Sequence, residues 1–273
     1  MAESRTRGVI ADDYQAARLS GDTTAMRRLQ NEEACVVLLT ILGRLAADER
    51  SFIHEIAVKG GILMAGELRS PRSSADIDAT TGRQRRIDPE RIVADLQRAG
   101  REFAIRRDGE VDRTPGGVVV HLRFESLTDA GTAKFEVSVR EDLVFAVRDA
   151  IFDVSALGLE PFTLPAVAKV ELVAEKIRAL IQRAQPRDLF DLHLYLVESG
   201  WHLAPSDLGT AVEAKLAITR HKRWRPGLWR LNLDEIEPQW ASTMTNWIEP
   251  AVLPQFDAVV KGITVRLRQL RLD

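Results

Sequence analysis

The sequence predicts an α+β protein with helices at its N-terminus, a mixed β-sheet in its middle and a helical C-terminal domain. Three patterns carry this prediction. Apolar residues recur at helical spacing through residues 34–47, two segments between residues 117 and 139 alternate with a period of two, and helical spacing returns after about residue 150. We therefore divide the chain into an N-terminal helical segment (1–50), a sheet core (51–155) and a helical C-terminal domain (156–273).

Length and composition limit the classes of protein that fit. The 273 residues suit one large domain or two modest ones, and a hydrophobic share of 45% is enough for a real core. The net charge of −2 gives no overall attraction to nucleic acid or to a membrane, so any basic surface has to be local. Cys35 is the one cysteine, which excludes an internal disulfide and favours a reducing cytoplasm. Because no apolar run has the length of a membrane span, we expect a cytoplasmic protein without a membrane segment.

The first two thirds of the chain alternate between helical and strand patterns. Gly21-Asp22 separates two helices within residues 11–50, and we expect Thr23 or Thr24 to cap the second. The segment HEIAVKGGILMAGEL contains an apolar stretch, a Gly-Gly turn and a short helix. ADIDATT is a strand, ERIVADLQRAG is a helix ended by Gly100, and FAIRRD is a short strand. GVVVHLRFESL and AKFEVSV alternate around DAGT, which predicts a hairpin.

The C-terminal part has a helical pattern with irregular links. TLPAVAKVELVAEKIRALIQRA predicts a helix of about 18 residues whose first turn tolerates the proline. Pro186 interrupts the pattern, and RDLFDLHLYLVESG predicts a second helix that ends at Gly200. The last third holds all five tryptophans, which in a helical domain usually belong to the core.

The stretch SSADIDATT places two aspartates, Asp76 and Asp78, on one face of a strand. Like charges this close repel unless a cation lies between them, so the pattern fits either a solvated strand edge or a divalent metal site. A third carboxylate favours the metal, and Glu136 points away from Phe135 and Val137 on its own strand. Three carboxylates on adjacent strands can hold two Mg²⁺ (or Mn²⁺) ions about 4 Å apart, and this arrangement serves phosphate chemistry. The alternative for Glu136 is an ordinary solvent-facing position.

Two further sets of residues are candidates for phosphate binding. Lys59, Gly60 and Gly61 lie between a strand and a helix, where glycine lets the backbone approach a phosphate and the helix N-terminus offers free N–H groups. The alternative is an ordinary tight turn. The second set has cations that could grip a triphosphate and acids that could orient them or activate a hydroxyl, although such a run is usually a solvated, salt-bridged face. Lys176 and Arg183, seven apart, are expected to share one helix face, and Arg187, Asp188 and Asp191 open the next helix.

These motifs, in this order, resemble the AbiEii/AbiGii family. The matching segments are VKGG, R-S-x-x-SSADIDA, FEVS and the AEK-x6-R-x3-RDLFDL block, which together cover roughly residues 50–200. The family comprises toxins with a nucleotidyltransferase fold from AbiE-type toxin–antitoxin systems and includes the mycobacterial Men toxins. Its closing D-x-x-x-[KR] motif is matched by Asp257 and Lys261. The family often has Gly-Ser where this chain has Gly60-Gly61.

The resemblance implies a role for several positions. Asp76 and Asp78 would be the metal carboxylates, and Lys176 would contact the nucleotide phosphates. Asp191, with Asp188 beside it, would be the essential acid of the third motif. Ser74 lies where some relatives carry a phosphorylatable serine, and a phosphate there would repel both the nucleotide and the metal ligands; the alternative is a hydroxyl at a strand entry. The expected sets are catalytic Asp76, Asp78, Lys176, Asp188 and Asp191; nucleotide-binding Lys59, Gly60, Gly61, Ser74, Lys176, Arg183 and Arg187; and metal-binding Asp76, Asp78 and Glu136.

The resemblance also implies a reaction and partners. A nucleotidyltransferase of this kind would use Mg²⁺–NTP to transfer a nucleoside monophosphate to an acceptor hydroxyl, and the expected acceptor is the 3′ end of tRNA, so that translation stops. An AbiEi-type winged-helix antitoxin is the expected partner. Two alternatives stay open, namely a protein or small-molecule acceptor and a catalytically silent binding partner.

Basic and aromatic residues are candidates for contact with tRNA. Arginine can bind phosphates and tryptophan can stack on bases, although core packing is the commoner use of tryptophan. The five histidines show no metal-ligand spacing. The basic candidates are Arg69, Arg72, Arg83, Arg85 and Arg86 around the aspartate strand, together with HKRWRPGLWR from His221 to Arg230.

Overall fold

The computed structural model describes residues 6–82, 88–139, 143–217, 219 and 223–273. Within these residues the helices are α1 (Arg7–Ser20), α2 (Thr23–Ala47), α3 (Gly60–Glu67), α4 (Pro89–Ala99), α5 (Lys169–Gln182), α6 (Pro186–His193), α7 (Pro205–Leu216), α8 (Leu233–Ile236), α9 (Trp240–Met244) and α10 (Phe256–Gln269). The strands are β1 (Ala57–Lys59), β2 (Asp76–Thr80), β3 (Arg106–Arg107), β4 (Asp112–Thr114), β5 (Gly117–Arg123), β6 (Thr132–Ser138), β7 (Arg148–Phe152) and β8 (Phe162–Ala166).

These strands form one mixed sheet, which confirms the α+β prediction. The strand order is β3-β5-β6-β2-β1-β8-β7, and β4 pairs with β5 outside this path. The pairs β2–β6 and β1–β8 are parallel, whereas β1–β2 and the hairpin pairs β5–β6 and β7–β8 are antiparallel. The sheet therefore brings β2 and β6, the two strands that carry the acidic motifs, side by side.

The chain divides into two compact units. The first contains the described residues up to 139, Val147–Val167 and the short return Asn246–Ile248. The second contains Leu143–Ala146, the described residues of Ala168–Thr245, and Glu249–Asp273. The first unit therefore holds α1–α4 and the sheet, and the second holds α5–α10.

Helix α2 forms much of the core of the first unit. An unbroken run from Glu33 to Leu42 is buried, so this helix is enclosed on all sides rather than amphipathic. Cys35 belongs to this run, and burial raises the pKa of its thiol to about 11. The predicted break between the N-terminal helices is confirmed at Gly21, but Asp22 rather than either threonine caps α2, because its carboxylate accepts from the Ala25 amide.

The prediction that the chain becomes helical after about residue 150 is wrong for two segments, which form strands instead. Both β7 and β8 belong to the sheet, and Pro165 lies inside β8 rather than in a first helical turn. Proline is tolerated there because β8 pairs with β1 only through Ala166, so the missing N–H of Pro165 interrupts no ladder on that side. Helix α5 consequently begins at Lys169 and has 14 residues.

Helical structure in the second unit otherwise follows the predicted order. The segment RDLFDLHLYLVESG forms α6 and then a π-helical turn at Leu194–Glu198, and Gly200 follows with a φ of +65°. No helix in the described part of the chain is long and apolar enough to cross a membrane.

Candidate active site

The acidic residues of β2 and β6 face the same side of the sheet. Asp78 and Glu136 are directly paired across the two parallel strands, and Asp76 lies two residues before Asp78. The residues between them, Ile77 on β2 and Phe135 on β6, are fully buried on the opposite side. The alternation predicted from the sequence therefore exists, and it places three carboxylates on two neighbouring strands.

Lys134 completes this group, and the sequence analysis missed it. It is paired with Asp76 in the strand register, and its Nζ lies 3.8 Å from Asp76 Oδ2 and 3.1 Å from Glu136 Oε2. Its signal was present in the motif AKFEVSV, because Lys134 has the same parity as Glu136 and must share its face. We call Asp76, Asp78, Lys134 and Glu136 the sheet cluster.

The sheet cluster is open to solvent. The side chains of Asp76 and Glu136 are 36% and 40% exposed, and that of Lys134 is 31% exposed. Partial burial on its own lowers the pKa of Lys134, but the charges of the three carboxylates and the hydrogen bond to Glu136 outweigh it and raise that pKa. The ammonium therefore stays charged, and it relieves the repulsion that paired carboxylates would otherwise feel.

The donor set of the sheet cluster fits a hard divalent cation. Carboxylate oxygens are the ligands that Mg²⁺ and Mn²⁺ prefer, and the strand register presents three of them on one face. As the side chains are placed, however, no three carboxylate, histidine or cysteine groups among the described residues are close enough together to hold a metal ion. The Lys134 ammonium lies within 4 Å of both Asp76 and Glu136.

Gly60 lies directly against the sheet cluster. Its φ is +74°, and a Cβ at this position would lie 2.5 Å from Asp78 Oδ2. It begins α3, and the N-cap residue Lys59 makes no capping hydrogen bond through its side chain. The predicted turn is therefore also the start of the predicted helix. The free amides of the first turn of α3 begin at Gly60, which lies against Asp78.

Gly61 is needed for a different contact. A Cβ there would lie 2.6 Å from the guanidinium of Arg72 and 2.7 Å from Ser74 Oγ. Arg72 is 4% exposed, and its guanidinium lies over the Trp247 ring at 6.0 Å. This burial corrects the expectation that Arg72 forms part of an exposed basic surface for RNA.

Ser74 is 6% exposed, and its hydroxyl donates to the Asp76 carbonyl at 3.1 Å. It thus fixes the backbone immediately before the first metal candidate. Its phosphorylation stays a prediction, and a kinase would have to reach a side chain that is now enclosed.

The other predicted set forms a compact ion-pair network inside the second unit. Lys176 Nζ lies 2.6 Å from Asp191 Oδ2 and 3.2 Å from Asp188 Oδ1, and Arg183 Nε lies 2.7 Å from Asp188 Oδ2. Both aspartate side chains are completely buried. We call Lys176, Arg183, Asp188 and Asp191 the helical cluster.

Two details of the helical cluster differ from expectation. Arg183 does not share a helix face with Lys176, because α5 ends at Gln182 and Arg183 is extended. The alternative interpretation, a solvated and salt-bridged face, is confirmed for the ion pairs and wrong for the aspartates, whose side chains are completely buried. Burial alone would raise the pKa of Asp188, but Lys176 and Arg183 outweigh it and lower that pKa to about 2. The neighbouring Arg187 is half-buried at the start of α6.

The remaining basic and aromatic candidates are mostly engaged within the protein. Arg69 forms an ion pair with Asp153. Trp229 is buried under the guanidinium of Arg230, and the Trp224 indole N–H donates to the Leu272 carbonyl. Arg83, Arg85, Arg86, His221 and Lys222 lie outside the described residues.

Most of the tryptophans are packed in the core. Trp201, Trp229 and Trp240 are buried, whereas Trp224 and Trp247 are partly exposed. These positions favour the core interpretation over a row of base-stacking surfaces.

Comparison with known proteins places the chain in a family. The sequence model described as "Nucleotidyl transferase AbiEii toxin, Type IV TA system" matches residues 42–262, which is most of the chain. The chain belongs to this family. It is therefore a nucleotidyltransferase of a toxin–antitoxin type, with an NTP as substrate and an antitoxin as partner.

Solved structures show the same fold. MenT4, a nucleotidyltransferase toxin from Mycobacterium tuberculosis, is similar with a TM-score of 0.62 at 17% identity, over 97% of this chain and 89% of its own. JHP933 from Helicobacter pylori is similar with a TM-score of 0.55 at 15% identity, over 86% of this chain and 88% of its own. No curated protein matches the chain.

Proposed function

We propose that this chain transfers a nucleoside monophosphate from an NTP to an acceptor hydroxyl, with release of pyrophosphate, in a reaction that needs Mg²⁺ or Mn²⁺. The observation that carries the proposal is the sheet cluster, which presents three carboxylates on one open face beside Gly60. A cluster kept for stability alone gains little from exposed charges, because pairs in water contribute at most about 1 kcal/mol. A ligand can reach partly exposed charges of this kind beside a glycine turn.

Each residue of this face has a proposed task. Asp76, Asp78 and Glu136 would hold the cation, which when bound would neutralise the triphosphate and polarise the reacting phosphate. Gly60 leaves room beside Asp78, so the backbone can come close to a phosphate there. The first-turn amides of α3 would donate to the phosphate oxygens.

The predicted roles of the helical cluster rest on the family resemblance. Lys176 would contact the nucleotide phosphates, and Asp191 with Asp188 would be the essential acid. Lys176 is already bonded to both aspartates, so these acids would set its position. Arg183 and Arg187 complete the proposed cationic set.

The proposed acceptor is the 3′ end of tRNA. Nucleotides added there would block aminoacylation and stop translation, which is an activity that suits a toxin. Membership in a toxin family supports this choice, and the expected AbiEi-type winged-helix antitoxin would restrain the enzyme in the cytoplasm.

One assay tests the proposal. Purified protein is incubated with Mg²⁺, total tRNA and each α-³²P-labelled NTP in turn, beside Asp76→Ala, and the products are separated on a denaturing gel. Label on tRNA with the wild type alone is the expected result. Label on a protein band or on a small molecule would support the proposed reaction but show that the acceptor is not tRNA. If Asp76→Ala labels as well as the wild type, or if neither labels any acceptor, the proposed centre is wrong.

A further inference from the structure

The ammonium of Lys134 contacts two of the carboxylates that the proposed metal ion would need as ligands. It lies within 4 Å of carboxylates from both strands, Asp76 on β2 and Glu136 on β6. The strand register enforces this position, because Lys134 is paired with Asp76 and lies on the face shared by Glu136. The sheet therefore fixes the backbone of Lys134 beside these carboxylates and on their face.

A divalent cation and this ammonium cannot use the same carboxylate oxygens independently. Mg²⁺ binds oxygen at about 2.1 Å and tolerates little distortion of its ligand shell. The carboxylates would have to turn away from Lys134 to meet the metal, and the ammonium would in addition repel the doubly charged ion. Both effects weaken the binding of the cation.

We propose that Lys134 is a built-in counter-ion that competes with the divalent cation for Asp76 and Glu136 and so sets the affinity of the centre for metal. This rests on the proposed function, since it presumes that the sheet cluster takes a metal. Lys134 is a positioning residue in this account. It holds the carboxylates on one face when no dication compensates their charge, and it opposes loading of the site by metal alone.

The test is a titration with Mn²⁺ alone, in which free Mn²⁺ is followed by its electron paramagnetic resonance signal. The proteins are the wild type, Lys134→Gln, Lys134→Arg and Glu136→Gln. A matched control is Arg113→Gln, which removes one positive charge from an exposed side chain of the same sheet. We expect Lys134→Gln to bind Mn²⁺ about tenfold more tightly, the effect of one charge on a dication a few ångströms away in a largely solvated site. Lys134→Arg and Arg113→Gln should stay within about twofold of the wild type.

The outcomes separate this proposal from the proposed function. If the wild type binds Mn²⁺, Glu136→Gln loses it and Lys134→Gln binds no more tightly, the counter-ion role is overturned and the metal centre stands. If none of the proteins binds Mn²⁺, the metal centre is absent and both proposals fail. Lys134→Met, which keeps the length of the aliphatic chain, replaces the glutamine variant if that one unfolds, and the same tightening is expected of it.

Discussion

The sheet cluster and the helical cluster share one arrangement, a lysine in contact with two carboxylates, in two different environments. In each, one lysine lies between two carboxylates, at 3.1 and 3.8 Å in the sheet cluster and at 2.6 and 3.2 Å in the helical cluster. The acids that contact lysine are more than a third exposed in the first and completely buried in the second. The lysine and its two acids are therefore open in one cluster and buried in the other, and the clusters also differ in their fourth member, which is Asp78 in the first and Arg183 in the second.

This difference decides what the charges can do. Removing one partner of a buried pair leaves an uncompensated charge away from water, which costs about 3–5 kcal/mol. An exposed pair is worth about 1 kcal/mol or less, because water and salt replace the lost partner. The helical cluster should consequently stabilise its unit, in addition to the roles proposed above for Lys176 and Asp191. The sheet cluster should contribute little to stability while remaining accessible to a ligand.

The largest expected effect is on stability. Lys176→Met should lower the free energy of unfolding by about 3 kcal/mol, because Asp188 and Asp191 lose their shared cation while fully buried. Lys134→Met, the same change in the open cluster, should lower it by less than about 1 kcal/mol. Urea unfolding followed by tryptophan fluorescence measures both, and equal losses would contradict the comparison.

Acid should weaken the helical cluster over a defined pH range. The pKa of Asp188 is lowered to about 2, so its contribution is present above the ordinary aspartate pKa near 4 and is lost as the pH falls from there towards 2. This shift is worth about 2 kcal/mol. Unfolding free energies at pH 4 and pH 2.5 should fall more steeply in the wild type than in Asp188→Asn, and parallel curves would assign the acid sensitivity to other groups.

Gly60→Ala should disturb the sheet cluster by a smaller amount. The new Cβ has a strained φ and meets Asp78, for a combined cost of about 1–2 kcal/mol. Gly82→Ala is a close control, since its φ of +68° gives a similar backbone strain but no atom lies within 4 Å of the added Cβ. Both variants should lose stability, but only Gly60→Ala should also weaken Mn²⁺ binding; the same binding loss in both would rule out the contact with Asp78 as its cause.

Asp76→Asn should leave stability almost unchanged. Its carboxylate is partly exposed and 3.8 Å from Lys134, so the expected change in unfolding free energy is below about 1 kcal/mol. Asp108→Asn is the matched control, because Asp108 is 41% exposed and pairs with Arg123 at 2.9 Å. A loss of several kcal/mol in Asp76→Asn alone would mean that the sheet cluster is structural.

The sequence predicted the part of the site that depends on strand periodicity. The alternation in ADIDATT and AKFEVSV correctly placed Asp76, Asp78 and Glu136 on one face, because that property is local. The same reasoning would have found Lys134. Lysine is not a metal ligand at neutral pH, however, so a pattern of metal-binding residue types does not include it.

Burial could not be predicted in the same way, because it depends on contacts between distant segments. Arg72 and Ser74 are buried against the backbone of Gly61, and the Arg72 guanidinium lies over the ring of Trp247, which is far along the chain. A solvated charged face was one of the two interpretations of the segment that contains Asp188, yet the side chain of Asp188 is completely buried. The helical pattern in the sequence includes Pro165, but this residue lies in strand β8 of the sheet. Here the pairing of strands overrides the local preference of the sequence.

The most direct test of the account is the initial rate of nucleotidyl transfer by Asp76→Asn, measured beside Asp108→Asn with the NTP and acceptor that the wild type labels best. Each variant removes the charge of one partly exposed aspartate of the first unit, and each of these aspartates is paired with a cation, Lys134 for Asp76 and Arg123 for Asp108. We predict that Asp108→Asn keeps the wild-type rate within about twofold, while Asp76→Asn falls by at least about 100-fold at unchanged stability, because electrostatic groups at the reacting phosphate carry effects of this size. If Asp76→Asn transfers label at the wild-type rate, the open carboxylates of the sheet are not the catalytic centre.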